Sequence, residues 1–221
     1  MCSALSILQI EDDPLWRDFC AAALQDRPEV GSLETAVDGA GGLALAQLRR
    51  PDIVLLDLRL PDIDGFVLLE QLAKLRPRPP KILILSVRND AWALFRSRDE
   101  RVHGFLWKTG DIKLHLLTAL TALAQGNKYY PADVRQAWTE LRADPSAFFK
   151  ILSSRELDLM HHFASGLGDA EIAQQIGLST LTVKSHRQHV MTKIGVHSTP
   201  QLIHWAIRAG FGRGDGKDAP K

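Results

Sequence analysis

The sequence predicts an α/β domain, a doubly wound parallel sheet of five strands, followed by a smaller all-α domain of four helices. Short apolar runs rich in Val, Ile and Leu alternate with segments of helical period up to residue 125. That alternation is typical of buried parallel strands joined by helices. From residue 152 the strand-like runs stop and capped helices follow one another. At 221 residues the chain is long enough for two separate cores.

Turn and cap signals mark the predicted elements of the first domain. Asp13-Pro14 is typical of an N-cap followed by proline in the first helical turn, and Asp38-Gly39 of the start of the second helix. Prolines at positions 77, 79 and 80 end the third helix. We expect the strands at residues 7–10, 33–37, 53–56, 82–85 and 104–107.

The chain divides into four predicted parts. They are an α/β domain at residues 1–125, a linker at 126–150, a helical domain at 151–211 and a disordered tail at 212–221. Within the linker, Pro131 and Asp144-Pro145 bracket a short helix, so we expect it to be part helical. The four helices of the second domain are expected near residues 154–165, 169–176, 180–194 and 199–209.

Charge and cysteine content indicate the compartment. The formal net charge is +1; residues 1–150 hold 19 Lys or Arg against 20 Asp or Glu, and residues 151–221 hold 8 against 6. The small basic excess therefore lies in the helical domain. Cys2 and Cys20 have neither a metal-ligand nor a disulfide-framework spacing. With no signal-peptide pattern and no apolar run of membrane-spanning length, we expect a cytoplasmic protein without a membrane partner.

Polar side chains with reactive groups stand at the ends of four predicted strands. Glu11 and Asp12 follow the first strand, Asp57 follows the third, and Ser86 and Lys108 follow the fourth and fifth. Ligands of open α/β sheets bind outside the carboxyl ends of the strands. We therefore expect these side chains to meet at one rim of the sheet.

Three carboxylates at one rim require a cation. Two charges about 4 Å apart repel by roughly 4 kcal/mol at an effective dielectric near 20. All-oxygen ligands suit Mg²⁺ or Mn²⁺. With that metal and the Lys108 ammonium neutralising charge, the Asp57 carboxylate can attack phosphorus to form an aspartyl phosphate, to which Ser86 donates a hydrogen bond. Taken singly, each residue is better explained as a helix cap, a turn residue or a surface charge. The occurrence of all four at successive strand ends favours the phospho-acceptor site instead.

Four segments resemble the motifs of two-component receiver domains. They are residues 10–14, 57–65, 85–86 and 104–108. The resemblance covers residues 5–125 and implies a flavodoxin-like fold in which Asp57 is the phospho-acceptor, assisted by Lys108 and Ser86. The metal ligands that it implies are Glu11, acting through water, Asp12, Asp57 and the backbone carbonyl of Arg59.

The resemblance also implies a switch pair, Ser86 and Phe105. The serine hydroxyl would move toward the phosphoryl group while the aromatic ring turns inward. Two departures from the family pattern leave an alternative open. Val87 is bulkier than the small residue frequent at that position, and residues 98–103 replace a small, glycine-containing segment. In the alternative, the receiver is a phosphorylation-independent interaction module of a DNA-binding regulator.

The predicted helix 180–194 has an apolar and a polar side. Its apolar seam consists of Val183, Val190 and Ile194, and its polar face of Lys184, Ser185 and Gln188. With Arg187 and Lys193 the helix carries three cations and no acid. That composition suits insertion into the major groove of DNA, although a solvated helix face would share it.

Five segments of the helical domain resemble the LuxR-type helix-turn-helix. They lie at residues 152–156, 166–167, 171–173, 182–186 and 193–198. The resemblance implies base or groove contacts from Lys184, Ser185 and Gln188, and phosphate contacts from Thr180 and Thr182. Arg187 is counted with the DNA-binding residues because of its charge.

Together the two resemblances are those of a NarL/FixJ-type response regulator. They imply that a cognate histidine kinase phosphorylates Asp57 and so controls binding to double-stranded promoter DNA and transcription. A homodimer on paired half-sites is expected in the active state. An enzyme is not expected, because a haloacid-dehalogenase-like phosphatase carries a second acid two residues after its nucleophile, where this chain has Arg59.

Overall fold

The computed structural model of the protein describes residues 4–88 and 90–212. Contacts divide them into two units, which include residues 4–88 with 94–136 and residues 90–93 with 137–212. The domain boundaries drawn from the sequence at residues 125 and 150 stay predictions. Apart from Gly212, the tail predicted to be disordered lies outside the described residues. Within the described residues, no helix combines the length and the apolar character needed to cross a membrane.

The first unit is built on a parallel sheet. Its described strands are β1 (Leu5–Ile10), β2 (Val30–Ala36), β3 (Ile53–Leu56), β4 (Lys81–Ser86) and β5 (Val102–Trp107). They pair in the order β2-β1-β3-β4-β5, and every pairing is parallel. All four residues of the central strand β3 are buried, whereas β2 is a partly exposed edge strand, as its weaker apolar pattern indicates. The predicted five-stranded, doubly wound sheet is confirmed.

Helices alternate with these strands. They are α1 (Pro14–Leu24), α2 (Gly39–Arg49), α3 (Gly65–Leu72), α4 (Ala91–Arg96) and α5 (Ile112–Ala124). The Asp13 side chain caps α1 by accepting a hydrogen bond from the Leu15 N–H at 2.9 Å. Asp38 caps α2 in the same way through the Gly41 N–H at 2.7 Å. Both predicted cap residues therefore satisfy backbone donors at a helix start.

The strand order determines where a ligand can bind. After β1 the chain winds to one side of the sheet to form β2, and then returns to the other side to form β3. β1 and β3 are direct neighbours, with Ile10 opposite Leu56 at their carboxyl ends. At such a switch point the segments that follow the two strands separate and leave a crevice. Glu11, Asp12 and Asp57 directly follow these two strand ends.

Helices make up the rest of the described chain. They are α6 (Ala132–Ala143), α7 (Phe148–Ile151), α8 (Ser154–Ala164), α9 (Asp169–Ile176), α10 (Thr180–Ile194) and α11 (Thr199–Ala209). The four last agree with the predicted helices to within one residue, and α6 occupies the part of the linker where a short helix is expected. Ser153 and Glu156 form a capping box at the start of α8, because the Ser153 N–H donates to the glutamate at 2.7 Å and the Glu156 N–H donates to the serine hydroxyl at 3.3 Å.

Candidate metal centre and nucleic-acid interface

Three carboxylates converge at the crevice between β1 and β3. One oxygen from each of Glu11, Asp12 and Asp57 lies within 4.8 Å of the other two. Backbone pairing holds them there, since the Asp57 N–H donates to the Ile10 carbonyl at 3.0 Å and continues the ladder beyond the strand end. Glu11 and Asp57 are buried, and Asp12 is exposed. The cluster therefore opens to solvent on the side of Asp12.

Lys108 bridges the two buried acids. Its ammonium nitrogen lies 2.5 Å from Glu11 Oε2 and 3.2 Å from Asp57 Oδ2, and its side chain is only 2% exposed. The backbone N–H of Lys108 donates to the backbone carbonyl of Ser86 at 2.9 Å, which fixes the lysine beside the end of β4. The strand ends therefore bring together the acids and the amine that the sequence places far apart.

Trp16 is a part of this centre that the sequence analysis does not identify. The Lys108 ammonium lies 5.3 Å from the centroid of the Trp16 ring, a cation–π distance. The tryptophan stands in the first turn of α1, the helix that follows the acidic residues at the end of β1. Its partner is 92 positions away in the sequence, so no local pattern indicates this contact.

Burial of the acids makes their ionisation costly. Burial raises the pKa of Glu11 to about 7, and the nearby Asp57 charge acts in the same direction, while Lys108 opposes both. Burial also raises the pKa of Asp57, against the opposing effects of Lys108 and of the Arg59 and Leu58 N–H groups. One ammonium thus faces two buried carboxylates and a third exposed one. An all-oxygen set with this excess of negative charge fits a divalent cation.

The loop after β3 holds the Asp57 carboxylate in place. The Leu58 N–H donates to Asp57 Oδ1 at 2.7 Å. Gly65 closes the loop by donating its N–H to the Leu58 carbonyl at 3.1 Å, and a Cβ at this glycine would lie 2.6 Å from the Asp57 carbonyl oxygen. Asp62, in the same loop, accepts hydrogen bonds from the first two N–H groups of α2, each at 2.8 Å. Close backbone packing therefore positions the candidate phospho-acceptor.

The remaining predicted receiver residues are Ser86, Phe105 and Arg59. Ser86 is fully buried, and its hydroxyl oxygen accepts a hydrogen bond from the Arg88 N–H at 2.9 Å. Phe105 is fully buried in β5. Arg59 is exposed and its backbone forms an isolated antiparallel bridge within the loop that follows β3. Val87, the bulkier residue after the serine, is 44% exposed.

In the second unit, α10 presents a polar face to solvent. Val183 and Val190 on its opposite side are fully buried. The exposed residues of the predicted DNA-binding set are Thr180, Thr182, Lys184, Ser185 and Gln188. The helix starts at the N-cap Ser179, whose hydroxyl accepts a hydrogen bond from the Thr182 N–H at 3.0 Å. A glycine in left-handed conformation, Gly195, ends it.

Arg187 does not belong to this face, contrary to the expectation from its charge. It is 7% exposed, and its Nε donates to Asp169 Oδ1 at 2.7 Å while Nη2 donates to the Leu167 carbonyl at 3.0 Å. Its guanidinium also lies 4.3 Å from the centroid of the Phe163 ring. These contacts connect α10 to the start of α9. Because the guanidinium is buried and paired within the unit, Arg187 is withdrawn from the candidate DNA contacts.

Comparison with known families identifies both parts of the chain. The model of the response regulator receiver domain matches residues 7–120. The model described as bacterial regulatory proteins, luxR family, matches residues 150–206. The protein is a response regulator of the NarL/FixJ type. As a member of this group it regulates transcription through a DNA-binding domain under the control of phosphorylation, and its two families are regulatory rather than enzymatic.

Similar proteins share this organisation over nearly their whole length. The oxygen regulatory protein NreC of Staphylococcus epidermidis strain ATCC 12228 is 28% identical over 214 residues, which cover 92% of this response regulator and 97% of NreC. NreC of Staphylococcus aureus strain MRSA252 is 29% identical over 213 residues, with the same shares covered.

Solved structures of RcsB from Salmonella typhimurium share the fold. One RcsB chain superposes with a TM-score of 0.62 at 23% identity, covering 92% of this response regulator and 98% of that chain. A structure described as an RcsB–DNA complex gives the same TM-score at 22% identity, covering 94% and 100%. At these identities the likeness establishes the fold alone.

Proposed function

We propose that Asp57 of this response regulator accepts a phosphoryl group from a cognate histidine kinase. The observation that supports this most strongly is the position of the Asp57 carboxylate. It is buried beside two other acids and 3.2 Å from the Lys108 ammonium at the switch point of the sheet. A structural ion pair would need neither the third acid nor an opening to solvent.

The chemistry follows from the atoms at this site. An Asp57 carboxylate oxygen attacks phosphorus, the bond from phosphorus to the kinase histidine nitrogen breaks, and that nitrogen keeps the electron pair. Lys108 neutralises charge on the transferred oxygens. Glu11, Asp12, Asp57 and the Arg59 carbonyl would hold the metal, Mg²⁺ or Mn²⁺. When bound, the ion offsets the negative charge of both the carboxylates and the phosphoryl group.

Ser86 and Phe105 form the proposed switch. The Ser86 hydroxyl accepts a hydrogen bond from the Arg88 N–H, so its own proton is available for a phosphoryl oxygen. The Phe105 ring is already fully buried, so an outward orientation in another state would expose it. The phosphoryl group adds about −1.5 to −2 charges at one strand end, which is the change that the switch would detect.

The DNA-binding step is assigned to α10. Its exposed face carries Lys184, Ser185 and Gln188 toward the base edges of the major groove, while Thr180 and Thr182 contact phosphates near the helix start. RcsB, which shares the fold, is described in complex with DNA and as dimers bound to DNA. We infer that this protein also binds DNA as a homodimer. Its binding sites would be paired promoter half-sites, and it would act in the cytoplasm.

DNA affinity measured with and without a phosphodonor tests the proposal. The full chain would be titrated onto its preferred duplex in Mg²⁺, before and after treatment with acetyl phosphate. We expect treatment to change the affinity of the wild-type protein and not that of Asp57→Asn. Asp18→Asn, which makes the same chemical change on an exposed part of α1, is the matched control and should respond like wild type. An equal response of Asp57→Asn would reject Asp57 as the phospho-acceptor.

A further inference from the structure

Leu181, the second residue of α10, is unusually exposed for a large aliphatic side chain. Its relative exposure is 76%, whereas Val183 and Val190 in the same helix are fully buried. It belongs neither to the apolar seam nor to the polar face that the sequence predicts for this helix. An exposed leucine is common on a protein surface, so its meaning depends on where it lies.

Its position aligns it with the proposed DNA-reading residues. Lys184, Ser185 and Gln188 follow Leu181 at i+3, i+4 and i+7, and residues with those spacings lie on one face of an α-helix. All four are exposed. At about 100° per residue, the buried residues Val183 and Val190 point to the opposite side. Leu181 is therefore the N-terminal end of the exposed stripe.

Chemistry restricts what this side chain can recognise. In the major groove, base edges present hydrogen-bond donors and acceptors and one apolar group, the 5-methyl group of thymine. Recognition helices contact base edges mainly through their N-terminal residues. A leucine here can make no hydrogen bond to a phosphate or a base, so the thymine methyl is the partner that matches it.

We propose that Leu181 reads a thymine methyl group and so makes DNA binding selective for thymine at one position of each half-site. This inference rests on the proposed function, in which α10 enters the major groove. It adds an apolar specificity contact to the polar contacts of Lys184, Ser185 and Gln188. Removing the methyl group should weaken wild-type binding about fourfold, the factor expected for one methyl-sized group withdrawn from contact.

The test is a double-mutant cycle in which the Leu181 side chain and the thymine methyl group are removed singly and together. The full chain selects its preferred site from randomised duplexes, and each thymine of that site is then replaced by deoxyuridine, which lacks only the methyl group. We expect one position in each half-site at which deoxyuridine weakens the wild-type protein about fourfold and leaves Leu181→Ala unaffected. Leu15→Ala, which removes an equally exposed leucine from α1, should retain the wild-type discrimination.

The outcomes separate the two levels of the proposal. The role proposed for Leu181 is wrong if wild type and Leu181→Ala respond equally to deoxyuridine at every position. The role of α10 still stands in that case, provided that Lys184→Ala weakens site-specific binding. If the protein selects no sequence, or Lys184→Ala binds like wild type, both are wrong. Thermal unfolding of Leu181→Ala checks that the exposed substitution leaves the fold intact.

Discussion

The Lys108 ammonium lies 2.5 Å from a Glu11 carboxylate oxygen, although 97 positions separate the two residues in the sequence. The same nitrogen lies 3.2 Å from Asp57. All three side chains are buried. One ammonium group thus neutralises part of the charge of two buried carboxylates. We expect both the stability and the phosphorylation of the receiver to depend on this ion pair.

Replacing Lys108 should destabilise the protein. Lys108→Met leaves two buried carboxylates without their counter-charge, and removing one partner of a buried ion pair costs about 3 kcal/mol or more. We expect a loss of that order in the free energy of unfolding, measured by urea titration in EDTA, and slower phosphorylation by acetyl phosphate. Lys113→Met, an exposed position in α5, should change neither. Equal stability of Lys108→Met and wild type would contradict the arrangement.

Stability without metal should fall as the pH rises. The pKa of Glu11 is about 7 in the folded protein and 4.5 as its ordinary value, so the folded state binds the extra proton between these limits. The bound proton therefore stabilises the folded state fully below about pH 4.5. This contribution to the free energy of unfolding, on the order of 3 kcal/mol, is lost as the pH rises through about 7. The raised pKa of Asp57 acts with the same sign.

Urea unfolding in EDTA across this range measures the effect, and Glu11→Gln isolates it. His103 acts with the opposite sign, because burial lowers its pKa and charging it on acidification would cost stability. The difference between wild type and Glu11→Gln removes that contribution. A difference that does not change with pH would mean that Glu11 keeps an ordinary pKa. Mg²⁺ should stabilise the wild type more at pH 8 than at pH 5, since it binds the ionised carboxylates.

Adding a methyl group at Gly65 should displace Asp57. The Cβ of Gly65→Ala would lie 2.6 Å from both the Asp57 carbonyl oxygen and the Leu58 Cα, which are backbone atoms and cannot swing away. We expect a loss of about 1 to 3 kcal/mol in unfolding free energy, as for other overpacked sites, together with a lower phosphorylation rate. A variant as stable and as reactive as wild type would show that the loop is looser than this packing implies.

Lys184 should contribute affinity for DNA without affecting stability. Lys184→Ala removes one exposed positive charge from the α10 face, so specific binding should weaken. Because the interface loses one positive charge, the slope of log affinity against log salt should also fall, by about one. Fluorescence anisotropy at several salt concentrations gives both quantities. Unchanged binding would reject the assigned face.

Arg187 provides the contrast on the same helix. Because its guanidinium is paired with Asp169 inside the unit, Arg187→Ala should lower the free energy of unfolding by about 3 kcal/mol. Lys184→Ala should change the free energy of unfolding by no more than about 0.5 kcal/mol, as ordinary surface substitutions do. A stable Arg187→Ala that binds DNA weakly would restore the expectation from charge.

The convergence of the acidic residues and Lys108 could be predicted because parallel strands share one edge. Glu11, Asp57 and Lys108 each follow a short apolar run. In a parallel sheet the carboxyl ends of all strands lie at the same edge, whatever the order of the strands. The caps Asp13 and Asp38 could be predicted because they are local, depending only on the next two or three residues.

The burial of Arg187 could be predicted only in part. It stands four residues after Val183 and three before Val190, so helical spacing already places it in the apolar seam. Its charge argued for exposure, since a buried cation needs a partner. That partner, Asp169, lies 18 positions away in another helix, and no local pattern connects the two. The contact of Trp16 with Lys108 escaped prediction for the same reason.

Mass spectrometry of the protein after reaction with acetyl phosphate tests the central claim most directly. With Mg²⁺ present, we expect one hydroxylamine-labile phosphate per chain, located on the peptide that contains Asp57. Asp57→Asn and the wild-type protein in EDTA should take up none. Phosphate on a different residue, or equal uptake in EDTA, would contradict the assignment of this carboxylate cluster as a metal-dependent phospho-acceptor site.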